Sequence, residues 1–244
     1  MRTIEEINQA LNTLWRAQTF PRSPKVYAPM QYLKPKAASV VFVGMNPSFS
    51  ARGWKRLLRK TKHHRIQPEK FFGWPVPKDF DLERAHEVEA LARKDYDFFR
   101  HHHSLANAVK FDWEHLDLFA YRETSQAKVK ALVLKKQNAP ELNEFGAAQF
   151  SLFVDLLRLA RPRAVVVANA LAAQIYLQQR TPRFDPATGC YLDSFGRRQP
   201  FPVFFSGMLT GARALDRFSR QRLFWQLAAV LGKSWCPPLA FDSA

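Results

Sequence analysis

Three short apolar runs constrain this chain most: Val40-Val41-Phe42-Val43 ahead of Gly44, Ala164-Val165-Val166-Val167-Ala168, and Pro202-Val203-Phe204-Phe205 ahead of Ser206. Each is too short for a helix, rich in β-branched or aromatic residues and free of charge, which fits a strand buried on both faces. Helical spacing fills the segments around them. Residues 141 to 160 place Phe150, Phe153, Val154 and Leu157 on one face, residues 170 to 179 and 213 to 231 read as further helices, and the last stops at Gly232. Thr3 and Glu6 have capping-box spacing at the start of an amphipathic helix carrying Ile4, Ile7, Leu11 and Leu14, and residues 81 to 100 read as another helix. Strands alternating with helices predict an α/β protein: a three-layer α/β/α sandwich around a short, mainly parallel four-stranded sheet.

No repeat, low-complexity stretch or linker divides the sequence, so residues 1–244 are predicted to form a single domain with two additions. The first is a basic insertion, residues 51–79, which holds Arg52, Lys55, Arg56, Arg59, Lys60, Lys62 and Arg65 with no acid before Glu69. The second, residues 184–200, has turn signals at 185 to 189 and 194 to 197 and is predicted to be a surface hairpin.

Charge narrows the partners. With 37 Lys and Arg against 21 Asp and Glu, the formal net charge is +16, while 21 Phe, 6 Tyr and 6 Trp rule out a solvated basic tail. A strongly basic folded body suits polyanions, chiefly nucleic acid. Cys190 and Cys236 form no CxxC pair, which excludes a Cys-rich zinc or iron–sulfur site and suits a reducing compartment. His101, His102 and His103 point about 100° apart on a helix and lack an HExxH companion, so no metal is expected there. The N-terminal segment lacks an apolar signal core, and no apolar window approaches about 18 residues. The expectation is a cytoplasmic monomer, nucleoid-associated in a bacterium, with no cofactor and no membrane partner.

Ligands of parallel α/β sheets bind beyond the carboxyl ends of the strands, so the chemistry is sought there. After the first run, Gly44 permits a sharp turn, Pro47 fixes φ, and Asn46 between them both donates and accepts hydrogen bonds. The same residues also suit a strand-ending turn capped by Asn. Residues 117 to 124 gather Asp117, Tyr121, Arg122, Glu123 and Thr124; Asp117 suits a loop cap, and Arg122 with Glu123 fits a structural ion pair.

V-F-V-G-M-N-P, residues 41 to 47, resembles the first motif of the uracil-DNA glycosylase superfamily, in its mismatch-specific, thymine-DNA and single-strand-selective branches. R-P-R-A-V-V-V-A-N-A-L-A-A, from Arg161, is similar to that superfamily's third strand and helix. F-F-S-G-M-L-T-G-A-R-A-L-D-R-F, from Phe204, is similar to its second motif and closing helix, with Phe205 to Met208 in place of the usual His-Pro-Ser-Pro or Asn-Pro-Ser.

The resemblance implies a metal-independent, monofunctional DNA glycosylase of base excision repair that hydrolyses the N-glycosidic bond of a flipped, deaminated or damaged base. Asn46 would position the water, and Ser206 with the Gly207 backbone would be the donors of the altered second motif. Gly44 and Met45 would line the base, Ser48 would replace a Tyr that excludes a 5-methyl group, Asp117 would read the base and Trp54 would stack on it or cover the pocket. On DNA, duplex or single-stranded, Leu209 would act as the wedge, Thr210 and Arg213 would hold a phosphate, and Arg56, Arg59 and Lys60 would line the approach. The alternative is a catalytically weak or inactive relative that serves as a nucleic-acid-binding module.

Overall fold

The computed structural model describes residues 2–20, 25–59, 61–76, 81–137, 139–196, 199–211 and 214–233. In chain order the elements are α1 (Ile4–Ala17), β1 (Val40–Gly44), α2 (Ala51–Leu58), α3 (Pro68–Phe71), α4 (Leu82–Asp95), α5 (Arg100–Val109), β2 (Trp113–Asp117), α6 (Gln126–Val133), α7 (Glu144–Ala160), β3 (Ala164–Val167), α8 (Ala170–Arg180), β4 (Arg183–Asp185), β5 (Cys190–Asp193), β6 (Phe201–Phe205) and α9 (Arg217–Val230). One sheet runs β2-β1-β3-β6-β5-β4. The fold is thus α/β, but the sheet departs from the expected four mainly parallel strands. It has six strands among the described residues and is mixed: β1 pairs parallel with β3 and β3 with β6, while β5 is antiparallel to both β6 and β4.

The physical reason lies in the segment predicted as a surface hairpin. Without it, β6 would present a row of unpaired N–H and C=O groups. Tyr191 to Asp193 pair instead with Phe201 to Val203, so β4 and β5 extend the sheet. Asp193 anchors this extension to α8 by accepting from Tyr176 Oη at 2.7 Å and from the Arg180 guanidinium at 2.9 and 2.8 Å. Burial and the Asp193 charge hold the Tyr176 phenol well above its ordinary pKa, so it stays a donor.

Chain contacts group into two compact units built from interleaved segments. The first comprises the chain up to Pro35, Gly44–Phe99 and Leu116–Leu159. Its α1 carries the predicted capping box, and Ile7, Leu11 and Trp15 on one helical face are completely buried. Asn8 on the same helix clamps the backbone of Tyr32, accepting from its N–H at 2.8 Å and donating to its carbonyl at 2.9 Å. The basic insertion is partly helical: Ser50 caps α2, whose Trp54 and Leu58 pack with Phe72 and Val88 while Arg52, Lys55 and Arg56 face outward.

The second unit comprises Lys36–Val43, Arg100–His115 and the chain from Ala160 onward. All four residues of β3 are completely buried, as a central strand flanked on both sides requires. Val40, Phe42, Val166 and Phe204 of the sheet pack with Leu105 and Val109 of α5 and Leu223, Phe224 and Leu227 of α9. Two predicted helices are shorter than expected. The one over 81 to 100 breaks where Tyr96 turns extended at φ −82°, ψ 126°, and a 3-10 turn follows before α5. The last begins at Arg217, because the Asp216 side chain accepts from the N–H groups of Phe218 and Ser219 and caps it there.

Candidate functional site

In the first unit the loop leaving β1 and the loop leaving β2 run side by side and are hydrogen-bonded along their length. Leu118 N donates to Gly44 O and Phe119 N to Met45 O, both at 3.1 Å, Glu123 N donates to Pro47 O at 3.1 Å, and the Thr124 hydroxyl donates to Phe49 O at 2.9 Å. Asn46 sits in the middle of this seam. Its Nδ2 donates to Glu123 O at 2.7 Å and Tyr121 O at 2.9 Å, with a longer contact of 3.3 Å to Pro47 O. Two carbonyl oxygens facing one end of the amide settle its orientation, since a flipped side chain would set oxygen against oxygen. Among the described residues no donor engages Oδ1, so the half-buried amide presents an acceptor of fixed direction.

The seam is held from below. Arg122, 3% exposed, forms a buried ion pair with Glu89, donates Nε to Ala28 O at 3.2 Å and lies over the Phe72 ring at 4.3 Å. The expected Arg122–Glu123 pair is thus replaced by Arg122–Glu89. Glu123 instead accepts from Ser125 N at 2.8 Å at the start of α6 and pairs with Lys128 at 3.4 Å.

Two aromatic residues border the seam that the sequence does not single out. Phe49, three residues after Asn46, stacks on Tyr27 with ring centroids 3.9 Å apart and planes 27° from parallel, and it meets Phe72 edge-on at 6.0 Å. Burial, then the charges of Glu69 and Glu123, raise the Tyr27 phenol above its ordinary pKa. Phe49 lies within reach of a motif search. Tyr27 carries no sequence signal, because only the fold brings its loop there.

Gly44 is half-buried, Met45 buried and Ser48 exposed. Asp117 is 3% exposed at the end of β2, and its charge, after burial, raises the buried Tyr32 phenol. Trp54 is 8% exposed and tilts against Phe72 at 5.1 Å, inside a hydrophobic cluster. Arg56 pairs with Asp97 at 2.9 Å on the surface, Arg59 is exposed, and Lys60 lies outside the described residues. Arg65, Lys70 and Arg84 surround an open hollow of about 610 Å³ with Ile66, Gln67 and Phe71.

The loop after β6 belongs to the second unit. Ser206 N donates to Val167 O at 2.9 Å, and its hydroxyl donates to Gly207 O at 3.0 Å. Leu209, expected as a wedge, is 2% exposed and packs into the core of this unit. Leu215 N bonds Met208 O at 2.7 Å and Ala214 N bonds Gly211 O at 3.0 Å, which folds the loop back on itself and turns Leu209 inward. The Thr210 hydroxyl is buried without a hydrogen-bond partner among the described residues, and Arg213 lies outside them.

Among the described residues no group of three or more His, Cys, Asp or Glu side chains is arranged to hold a metal ion. Of the three consecutive histidines, His102 is 1% exposed and sits edge-on to Phe42 at 4.4 Å and near His115 at 5.5 Å. No described helix is long and apolar enough to cross a membrane. No protein-family model matches the chain, and no curated protein matches it either.

Proposed function

We propose that this chain is a divergent member of the uracil-DNA glycosylase superfamily, a three-layer α/β/α domain that hydrolyses the N-glycosidic bond of a flipped, deaminated or damaged base. The observation that carries the reading is the Asn46 amide, whose nitrogen is committed to the Tyr121 and Glu123 carbonyls and whose Oδ1 is left to accept. A water donating one proton to Oδ1 keeps an oxygen lone pair aimed away from the amide. Because an amide is too weak a base to remove that proton in advance, the water suits a sugar already carrying oxocarbenium character, reached as the base departs. The glycosidic C–N bond breaks first, its electron pair leaves with the base, and water adds to the anomeric carbon as its proton passes to solvent.

The Tyr27–Phe49 stack beside the seam offers aromatic surface for a planar ring, whereas the buried Asp117 carboxylate is closed to one. The Ser206 hydroxyl is engaged by Gly207 O and Phe205 has no donor, so neither side chain is free to stabilise charge on a departing base. A weakly basic, readily expelled base is therefore the better substrate. The basic surface of α2, with Arg52, Arg56 and Arg59 outward, would lie along the DNA.

The engaged Ser206 hydroxyl and inward Leu209 favour a second reading, a nucleic-acid-binding relative without catalysis. Incubating the purified protein with duplex and single-stranded oligonucleotides bearing uracil, hypoxanthine, xanthine or an alkylated base separates the two. Abasic-site formation that Asn46→Ala abolishes supports the enzyme; no product from any lesion, with DNA binding retained, leaves the binding module.

A further inference from the structure

On α9, Phe218 is 76% exposed and Trp225 56% exposed, while Leu223, Phe224, Leu227 and Ala228 of the same helix are buried in the core of the second unit. The helix already has its packing face, so the two exposed rings contribute nothing to it. They lie seven residues apart on one side, about 10 Å along the axis, with the exposed Arg222 between them at the i+4 position of Phe218.

A second observation comes from the first turn of this helix. Arg220 is held below its ordinary pKa by burial and then by the charges of Arg100 and Arg217, and His101 is lowered by burial and then by Arg220 and Arg100. Among the described residues no carboxylate forms an ion pair with Arg100, Arg220 or Arg222. The nearby Asp216 is occupied as the helix cap, bonded to Phe218 N, Ser219 N and the Ser219 hydroxyl. Asp216 offsets only part of the repulsion on Arg220, and a polyanion relieves what remains.

We infer that this face of α9, with Phe218, Arg222 and Trp225 and with Arg220 and Arg100 at its base, binds single-stranded nucleic acid. The rings stack on unpaired bases and the arginines hold the phosphates, the combination that non-sequence-specific single-strand binders use. A duplex keeps its base faces stacked internally and offers the rings nothing. A lipid surface would need a broad apolar face, and that of α9 is committed to the core. The inference rests on the nucleic-acid part of the proposed function and adds the strand form it takes, but it does not depend on cleavage.

The test is fluorescence anisotropy of a labelled oligothymidylate of about 16 nucleotides with the whole protein at low and high salt. Wild type binds, and more weakly as salt rises; Phe218→Ala/Trp225→Ala weakens binding by about 30-fold or more, from two lost base stacks. The ring-preserving Trp225→Phe binds nearly as wild type. Equal binding by the double alanine variant overturns the inference, as does a duplex of the same length bound as tightly and with the same dependence on the rings. So does binding to phosphatidylserine vesicles that depends on the rings while the oligonucleotide is ignored. Failure of the glycosylase reading is distinguishable, because it leaves the ring effect intact while no lesion is cleaved.

Discussion

The side-chain nitrogen of Asn46 lies 2.7 Å from the carbonyl oxygen of Glu123, 77 residues further along the chain. This bond joins the loop after β1 to the loop after β2, and it makes Asn46 both a structural pin and the presenter of a directed oxygen. The two roles have different consequences on substitution. Asn46→Ala removes the donors to Tyr121 O and Glu123 O, and should cost about 1–3 kcal/mol in urea unfolding and, on the proposed function, abolish abasic-site formation. Asn46→Asp sets a carboxylate against the same carbonyls and should be less stable than Asn46→Ala at neutral pH. Unchanged stability in both variants would show that the seam does not depend on the amide.

The Arg122–Glu89 pair is a stability element beneath the site, with side chains only 2% and 10% exposed. Arg122→Met leaves the Glu89 carboxylate buried without its partner and should destabilise by about 3–5 kcal/mol. The double variant Arg122→Met/Glu89→Leu removes the stranded charge and should recover most of that loss. A double-mutant cycle by chemical denaturation gives the coupling directly, and additive single effects would contradict it.

Gly146, in the first turn of α7, tests a close approach of backbone to backbone. A Cβ there would come within 2.2 Å of Val133 O, the carbonyl that accepts from Asn143 N. Glycine to alanine in a helix ordinarily stabilises by roughly 0.5–1 kcal/mol. Here the sign should reverse, with Gly146→Ala lowering the melting temperature, because α6 and α7 must separate to admit the methyl group.

Stability should also fall at mildly acidic pH through His102. Its pKa is well below the ordinary value of 6.5, first through burial and then through the charges of His115, His101 and His103. The unfolded chain takes up a proton near pH 6.5 that the folded chain refuses. The contribution is therefore complete above that pH and is lost as pH falls from there toward the depressed folded value, with a slope of at most about 1.4 kcal/mol per pH unit. Urea midpoints at pH 7.5 and pH 5 should differ in wild type and differ less in His102→Gln.

The strands at 40–44, 164–167 and 201–205 follow from local runs, and the α1 capping box and the Gly232 stop follow from local spacing, because each is fixed by residues a few positions apart. Gly232 takes the left-handed conformation at φ 67° that such a stop requires. The joining of β5 to β6 was not readable in this way. It depends on Asp193 finding Tyr176 and Arg180, 17 and 13 residues away on α8, and no local pattern records that match. The start of α2 within the basic insertion was hidden for a different reason: its charges dominate the segment, and the apolar pair Trp54 and Leu58 is too sparse to announce a helix alone.

By itself the sequence determined the α/β alternation, the basic character and the loop that holds Asn46, since these reside in composition and in contiguous residues. Only the tertiary structure decided which atoms of Asn46 are occupied, that Leu209 turns inward, that Arg122 chooses Glu89, and that Tyr27 stacks on Phe49. Each of these depends on groups brought together from distant segments, and the competition among hydrogen-bond partners and packing surfaces is resolved only when those segments meet.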